Sequence, residues 1–185
     1  MFYGAGSAEP LFRLRKMIIS KTLEERKKAL DELAPYVKKD IKGTLEAMDG
    51  FPVVIRLLDP PLHEFVPRDT EQLSQLAREL GISLDELSVR AENLHESNPM
   101  MGHRGVRLGV TYPEVSEMQV RAIFEAAAEL LREGKDPYPE IMIPVVSSLK
   151  ELQDQQALVQ RVYDEVVLKY KVKKIKYLFG TMIEI

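Results

Sequence analysis

Three charged side chains interrupt or border apolar stretches of this sequence, and each has the chemistry of a ligand-binding group. Arg56 interrupts the run VVIRLL at 53–58, and Glu184 lies between two isoleucines in the run GTMIEI at 180–185. Arg104 lies in MGHRGVR at 101–107, where glycines allow the backbone to approach a ligand closely. A guanidinium binds phosphate or carboxylate through paired hydrogen bonds, and Mg²⁺ takes one or two carboxylates together with substrate oxygens.

Each of these residues also has a purely structural explanation. A buried arginine needs an anionic partner, and Asp59 is close enough in sequence to form an ion pair with Arg56. Arg104 could lie in a tight turn and pair with acidic helix surfaces, and Glu184 could pair with a cation on a neighbouring strand. The residues alone leave these alternatives open.

The other candidate groups favour structural roles. His63 and Glu64 follow two prolines and have no partner one helical turn away, which predicts a loop-locking pair rather than a metal site. Five lysines between 169 and 176 straddle a helix end and a strand start, and they predict a solvated surface. The sequence contains neither a glycine-rich phosphate loop ending in Lys-Ser or Lys-Thr nor a nucleophile paired with a base.

Composition excludes several classes of protein. The 26 basic and 29 acidic residues give a net charge of −3, which argues against a nucleic-acid partner. A hydrophobic content of 45% supports a folded core, yet no apolar run reaches the length of a membrane helix. The first residues do not resemble a signal peptide, and the chain has no cysteine, so we expect a cytoplasmic protein without disulfides or zinc–thiolate sites.

The helices are marked by their N-terminal caps. A hydroxyl three residues before a carboxylate, the capping-box pattern, occurs at 22–25, 83–86 and 148–151, and 69–72 is a looser version. Apolar residues then follow at helical spacing. The first part of the chain predicts helices over 10–19, 22–34 and 35–48, with Pro35 separating the last two because it cannot continue the first and can open the second.

Short apolar, β-branched runs between the helices predict four strands, at 52–58, 105–109, 139–146 and 175–179. Because these runs are nearly continuous in apolar residues, we expect parallel strands buried on both faces by helices. The alternation predicts the α/β class, and four such strands make about half of a (β/α)₈ barrel, which needs about 250 residues. We therefore expect one partial-barrel domain over 1–185, part of a larger protein, with a helical lead-in at 1–50 and a two-helix insertion at 68–97. A discrete four-stranded open sheet is the alternative.

Several long segments resemble the pyruvate, phosphate dikinase family of phosphoenolpyruvate-utilising enzymes. They are RLLDPPLHEF at 56–65, NPMMGHRGVRL at 98–108 and GTMIE at 180–184, supported by EAMDG at 46–50, QVRAIFEA at 119–126 and PEIMIP at 139–144. The sugar phosphotransferase enzyme I and phosphoenolpyruvate synthase share the general plan, so a fragment of such a relative is an alternative. They have a glycine-containing segment where this chain has DPPLHEF, which favours the dikinase.

The resemblance implies an activity and a role for each candidate residue. The family interconverts ATP, phosphate and pyruvate with AMP, diphosphate and phosphoenolpyruvate, and its carboxyl-terminal barrel binds phosphoenolpyruvate or pyruvate. By this match, Arg56 and Arg104 would contact the phosphoryl group and the carboxylate of phosphoenolpyruvate, and Glu184 would hold Mg²⁺. Arginines and a metal suit this reaction, since both stabilise the charge that develops during phosphoryl transfer.

The resemblance also implies that other parts of the enzyme are absent from this chain. The nucleotide-binding domain, the phosphohistidine domain and the later barrel strands have no counterpart here, so ATP would act only through them and the chain alone should not catalyse the reaction. The alternative is a non-catalytic anion-binding or assembly module, whose open sheet edges would pair two copies. In either case we expect a homo-oligomer.

Overall fold

A computed structural model of the chain describes residues 8–59, 62–67, 69–94 and 102–185. These residues group into two compact units, one drawn from 1–33 and 60–103 and the other from 34–59 and 104–185. The predicted partition into a barrel, a helical lead-in and an insertion stays a prediction. No helix among the described residues combines the length and the apolar composition needed to span a membrane.

The first unit is helical. It contains α1 (Ala8–Ile19), the start of α2 (Leu23–Ala47), a short 3₁₀ helix (Leu62–Phe65), α3 (Thr70–Leu80) and α4 (Leu84–Glu92). Asp69 caps α3 by accepting from the Gln72 amide, and Ser83 caps α4 by accepting from the Glu86 amide, both at 3.1 Å. The full capping box predicted at 83–86 is wrong, because the Glu86 carboxylate binds Lys21 and Arg90 rather than the Ser83 amide. Helices α3 and α4 confirm the two helices predicted within 68–97, and α1 packs against both of them.

Helix α2 runs through Pro35, so the prediction of two separate helices there is wrong. Proline removes one backbone donor from the helical ladder and is normally disfavoured inside a helix. The buried residues of α2 nevertheless keep an unbroken helical spacing on both sides of it, at Leu30, Leu33, Val37, Ile41 and Leu45. Burial of this continuous apolar stripe opposes the local cost of the proline.

The second unit is built around a three-stranded parallel sheet in the order β1 (Pro52–Arg56), β2 (Tyr138–Ile143) and β3 (Leu178–Thr181). Helix α6 (Pro113–Arg132) packs against β2 and against α7 (Leu149–Tyr170). The capping box predicted at 148–151 is present at the start of α7. The unit is therefore mixed α/β, as the sequence predicted, with fewer strands than expected.

The segment 105–109 is not a strand. It forms the helix α5 (Gly105–Thr111), in which Gly105, Val106, Leu108 and Gly109 are buried. These positions follow the spacing of one helical face, and the two glycines let the short helix pack closely. Five residues are too few to distinguish this pattern from a buried strand in the sequence, so the predicted fourth strand is wrong.

The strands are also less buried than their apolar sequences predicted. In β2 the exposure alternates, with Pro139, Ile141 and Ile143 buried. In β1 and β3, Val54 is 53% exposed and Leu178 is 52% exposed. The expectation that both faces of the strands are buried is therefore wrong for this sheet: α6 packs against β2, yet alternate residues of β2 stay partly exposed.

Candidate functional site

The second unit brings the predicted site residues to one edge of its sheet. Arg56 is the last residue of β1 and lies opposite Met142 of β2, and Glu184 follows the end of β3 by three residues. Arg104 is the N-cap residue directly before α5. Because the strands are parallel, their carboxyl ends meet at the same edge, which is where enzymes built on such sheets place their chemistry.

Asp59 joins the two arginines at this edge. Its side chain is only 3% exposed and forms an ion pair with Arg104, whose Nη2 lies 2.7 Å from Oδ2. The Arg104 Nε donates to Oδ1 and to the Asp59 carbonyl oxygen, each at 3.1 Å. On the other side, Arg56 Nη2 lies 3.6 Å from Oδ2, which confirms the ion pair considered from the sequence.

The two arginines differ in exposure. The Arg56 side chain is 48% exposed, whereas that of Arg104 is 15% exposed. The prediction that Arg56 lies in a strand buried on both faces is therefore wrong, and its guanidinium is accessible to a ligand. Arg56 also approaches the end of β3, with Nη1 3.9 Å from the sulfur of Met182.

The backbone leading to Asp59 is held from two directions. The Leu57 amide donates to the Met142 carbonyl at 3.1 Å and so extends the ladder beyond β1. The Leu58 amide donates to Oε1 of Gln119 at 2.8 Å, and the Gln119 amide group donates to a carbonyl of its own helix α6. These bonds fix where the buried carboxylate of Asp59 lies.

Glycines fix the position of α5 and therefore of Arg104. Gly105 has φ of +55°, and a Cβ there would lie 2.9 Å from the Pro144 carbonyl oxygen. The neighbouring Val106 amide donates to that same oxygen at 3.0 Å. At Gly109 a Cβ would lie 2.5 Å from Oγ of Ser116, so the close packing at both positions requires a residue without a side chain.

Glu184 binds a backbone amide in this structure. Its Oε1 accepts from the Val145 N–H at 2.8 Å, rather than pairing with the strand cation that the sequence left open. Val145, two residues after the end of β2, has φ of +60°, an unusual conformation for a β-branched residue. The Pro144–Val145 turn thus contacts both the segment that carries Arg104 and the carboxylate of Glu184.

Glu184 could serve as one ligand of Mg²⁺ if water, substrate or residues beyond the described ones supply the others. Among the residues that the structure describes, no three histidine or carboxylate side chains are grouped to hold a metal ion. Glu184 is exposed, and in the described part of the chain no hydrogen bond reaches its second carboxylate oxygen. Mg²⁺ often takes one or two carboxylates and completes its octahedron with water and substrate oxygens, so a single carboxylate is compatible with it.

Charge pairs hold together the helices behind the sheet. Glu117 and Arg121 of α6 form a closed ring of ion pairs with Arg161 and Glu165 of α7, over distances of 2.5–3.1 Å. Hydrogen bonds from Arg161 and Arg121 hold the pKa of Glu117 below its usual range, against the opposing effect of burial. These pairs support the scaffold on which α5 and Gln119 rest.

No pattern in the sequence marked Gln119, Val145 or Gly109 as functional. Gln119 reads as an ordinary polar residue on a helix, and the turn after β2 reads as the end of an apolar run. The glycine pair in GVRLG was the one available signal, since two glycines four residues apart permit close helix packing. The side chains of His63 and Glu64, which the sequence placed in a loop-locking pair, lie outside the described residues.

Comparison with known proteins identifies the family of this chain. Residues 7–185 match the model of the family described as PEP-utilising enzyme, PEP-binding domain. The chain belongs to this family. It is 49% identical over 179 residues to pyruvate, phosphate dikinase of Clostridium symbiosum, a match that covers 96% of this chain and 20% of the relative.

Plant relatives give the same result. Chloroplastic pyruvate, phosphate dikinase of Mesembryanthemum crystallinum is 49% identical over 187 aligned positions, covering 100% of this chain and 19% of the relative. Pyruvate, phosphate dikinase 2 of Zea mays is 47% identical, covering 100% of this chain and 21% of the relative. The chain therefore spans about a fifth of the length of the curated relatives it matches, and the resemblance predicted from the sequence is confirmed.

Proposed function

We propose that this chain supplies the phosphoenolpyruvate- and pyruvate-binding site of a pyruvate, phosphate dikinase. In that reaction ATP, phosphate and pyruvate are interconverted with AMP, diphosphate and phosphoenolpyruvate. The observation that carries the proposal is the cluster of Arg56 and Arg104 around the buried carboxylate of Asp59, at the carboxyl edge of a parallel sheet. Family membership and nearly 50% identity to dikinases support it.

The charges of the cluster suit an anionic ligand. Two guanidiniums and one carboxylate carry one net positive charge, and the Arg56 guanidinium is about half exposed. Arginine presents a planar set of donors that matches phosphate and carboxylate, the two anionic groups of phosphoenolpyruvate. In this proposal Arg56 and Arg104 are the catalytic residues that touch substrate.

We also propose that Glu184 holds Mg²⁺ together with substrate oxygens. When bound, the ion would supply Lewis-acid stabilisation to the oxygens of pyruvate or its enolate. The support is the exposed carboxylate near the same sheet edge and its hydrogen bond to the Val145 amide, which orients the group. Glu184 would thereby belong to both the metal site and the substrate site.

The fold proposal is a partial (β/α)₈ barrel. Three features support it: the parallel order of β1, β2 and β3, the helix α7 between β2 and β3, and the gathering of charged residues at the carboxyl ends of the strands. Because the chain matches about a fifth of each dikinase, ATP would act through other parts of the whole enzyme, and we expect the 185-residue chain alone to bind ligand without turnover. Homo-oligomerisation stays a prediction, as does the cytoplasm as compartment, for which the absence of cysteine is the support.

Replacing Arg56 by glutamine tests the binding site. We expect calorimetric titration with phosphoenolpyruvate in the presence of Mg²⁺ to show saturable binding by the chain. Hydrogen bonds to charged groups are worth about 1.5–3 kcal/mol, so Arg56→Gln should weaken the affinity about tenfold to a hundredfold.

Arg132→Gln is the matched control for this experiment. Arg132 is an exposed arginine at the end of α6, and its replacement changes the net charge by the same amount. It should bind phosphoenolpyruvate like the original chain. The proposal would be wrong if the original chain shows no saturable binding, or if the two variants lose affinity equally.

A further inference from the structure

We propose that Asp59 is a positioning residue, whose buried carboxylate sets the orientation of the Arg104 guanidinium and keeps Arg56 beside it. This inference rests on the proposed phosphoenolpyruvate site. It adds a third residue to that site, one that holds the substrate-binding arginines without itself contacting the substrate.

The contact with Arg104 defines an orientation as well as a charge balance. The carboxylate meets the side of the guanidinium through two parallel bonds, Nη2 to Oδ2 at 2.7 Å and Nε to Oδ1 at 3.1 Å. The backbone carbonyl of Asp59 accepts a third bond from the same Nε at 3.1 Å. A bidentate contact of this kind fixes the plane of the guanidinium, whereas a point charge would not.

The contact with Arg56 is weaker and leaves that residue accessible. A single approach of 3.6 Å joins Arg56 Nη2 to the oxygen already bound by Arg104. The two arginines therefore share one carboxylate oxygen, which keeps two like charges close together. Without the carboxylate, mutual repulsion would favour separation of the guanidiniums.

Asp59 itself is well placed to act as a fixed reference. Its side chain is 3% exposed, and the two residues before it are held by the Met142 carbonyl and the side chain of Gln119. Because the backbone before it is held in this way and its side chain is buried, the carboxylate offers Arg104 an acceptor in a defined place. The orientation is therefore imposed on Arg104 by the sheet.

Neutralising Asp59 has two effects that oppose each other. Asp59→Asn raises the net charge of the three side chains from +1 to +2, which favours any small anion. It also removes the bidentate contact, which disfavours a ligand that must meet both arginines in one geometry. A mere counter-ion would produce the first effect alone, so phosphoenolpyruvate and inorganic phosphate should respond in opposite ways.

The test compares the two anions by calorimetric titration of the 185-residue chain. We expect Asp59→Asn to lower the affinity for phosphoenolpyruvate at least tenfold while the affinity for inorganic phosphate stays equal or rises. Asp136→Asn is the control, since Asp136 is exposed and precedes β2 at the opposite edge of the sheet; it should change neither affinity. If Asp59→Asn binds phosphoenolpyruvate as tightly as the original chain does, the inference about Asp59 is wrong, and the proposed function is unaffected.

A second variant covers the case in which Asp59→Asn does not fold, as judged by circular dichroism. Arg104→Lys keeps the charge and removes the planar donors, so it should lose phosphoenolpyruvate affinity at least tenfold and retain phosphate affinity. If both variants fold, the double variant should bind phosphoenolpyruvate as tightly as the single variant with the lower affinity, because the two residues act as a unit. Unchanged phosphoenolpyruvate binding by Arg104→Lys would overturn the inference, whereas failure of the original chain to bind would overturn the proposed function.

Discussion

Replacing Gly109 by alanine tests how tightly α5, and with it Arg104, is fitted to the second unit. The added Cβ would lie 2.5 Å from Ser116 Oγ and 2.9 Å from Gln155 Oε1. Ser116 and Gln155 are 5% and 3% exposed, so neither can give way into solvent. The Gln155 amide is the end of a flexible side chain, but the Ser116 oxygen is one bond from its Cβ, so relief requires a change of rotamer or a shift of the helix.

The magnitude follows from two opposing effects. Overpacking a filled core typically costs about 1–3 kcal/mol, and the 2.5 Å approach to Ser116 points to the upper part of that range. Alanine in place of glycine within a helix contributes about 1 kcal/mol of stability. We therefore expect Gly109→Ala to lower the free energy of unfolding by about 1–2 kcal/mol.

Urea unfolding followed by far-ultraviolet circular dichroism measures this change. With a denaturant slope of about 2 kcal/mol per molar, the midpoint should fall by about 0.5–1 M. Gly43→Ala is the matched control, because Gly43 is an exposed glycine of α2 with nothing within 4 Å of the added Cβ. It should raise the stability by about 0.5–1 kcal/mol.

The outcome that refutes this reasoning is a Gly109→Ala midpoint at or above that of the original chain. Such a result would mean that α5 can move away from Ser116 at little cost, and that the helix does not fix Arg104. A lowered midpoint accompanied by weaker phosphoenolpyruvate binding would instead support both the packing and its purpose.

Two further predictions concern charged groups. Hydrogen bonds from Lys21 and Arg90 lower the pKa of Glu86 from 4.5 to about 2, so the ionised carboxylate should stabilise the fold fully above about pH 5, and this effect should be lost as the pH falls through 2. The urea midpoint of Glu86→Gln should therefore lie below that of the original chain at pH 7, and this difference should shrink towards pH 2.5. A difference that stays constant with pH would contradict the pKa shift. Glu184→Gln keeps an acceptor for the Val145 amide, so the free energy of unfolding should change by less than about 0.5 kcal/mol. The same variant should lose the Mg²⁺ dependence of phosphoenolpyruvate binding measured by calorimetric titration, and retained dependence would exclude Glu184 as the metal ligand.

The helices were the most predictable part of the fold, because their signals are local. The caps at Ser83 and Ser148 depend on residues three positions apart: the capping box at 148–151 forms as predicted, and at 83–86 its Ser83 half forms. The prediction of a helix boundary at Pro35 was wrong because the destabilisation by proline is local and visible in the sequence. The burial that opposes it is distributed along the whole helix α2. The prediction of a strand at 105–109 was wrong because its apolar pattern is too short to distinguish a strand from a helix.

The site was predictable as a set of residue types and unpredictable as an arrangement. Arg56 and Glu184 could be selected because charge in an apolar run requires a partner or a ligand, and Arg104 because glycines flank it. Their common position at one sheet edge required the pairing of β1 with β2 and of β2 with β3. Gln119 and the Pro144–Val145 turn carried no signal, since their roles come from hydrogen bonds to residues far away in sequence.

The sequence by itself determined the class of elements, the candidate charged groups and the family, because cap motifs, apolar periodicity and long matching segments are all read along the chain. The tertiary structure alone decided that one buried carboxylate, Asp59, binds both Arg56 and Arg104. The reason is physical: Asp59 and Arg104 are 45 residues apart, and only the docking of α5 against the end of β2 brings their side chains within hydrogen-bonding distance.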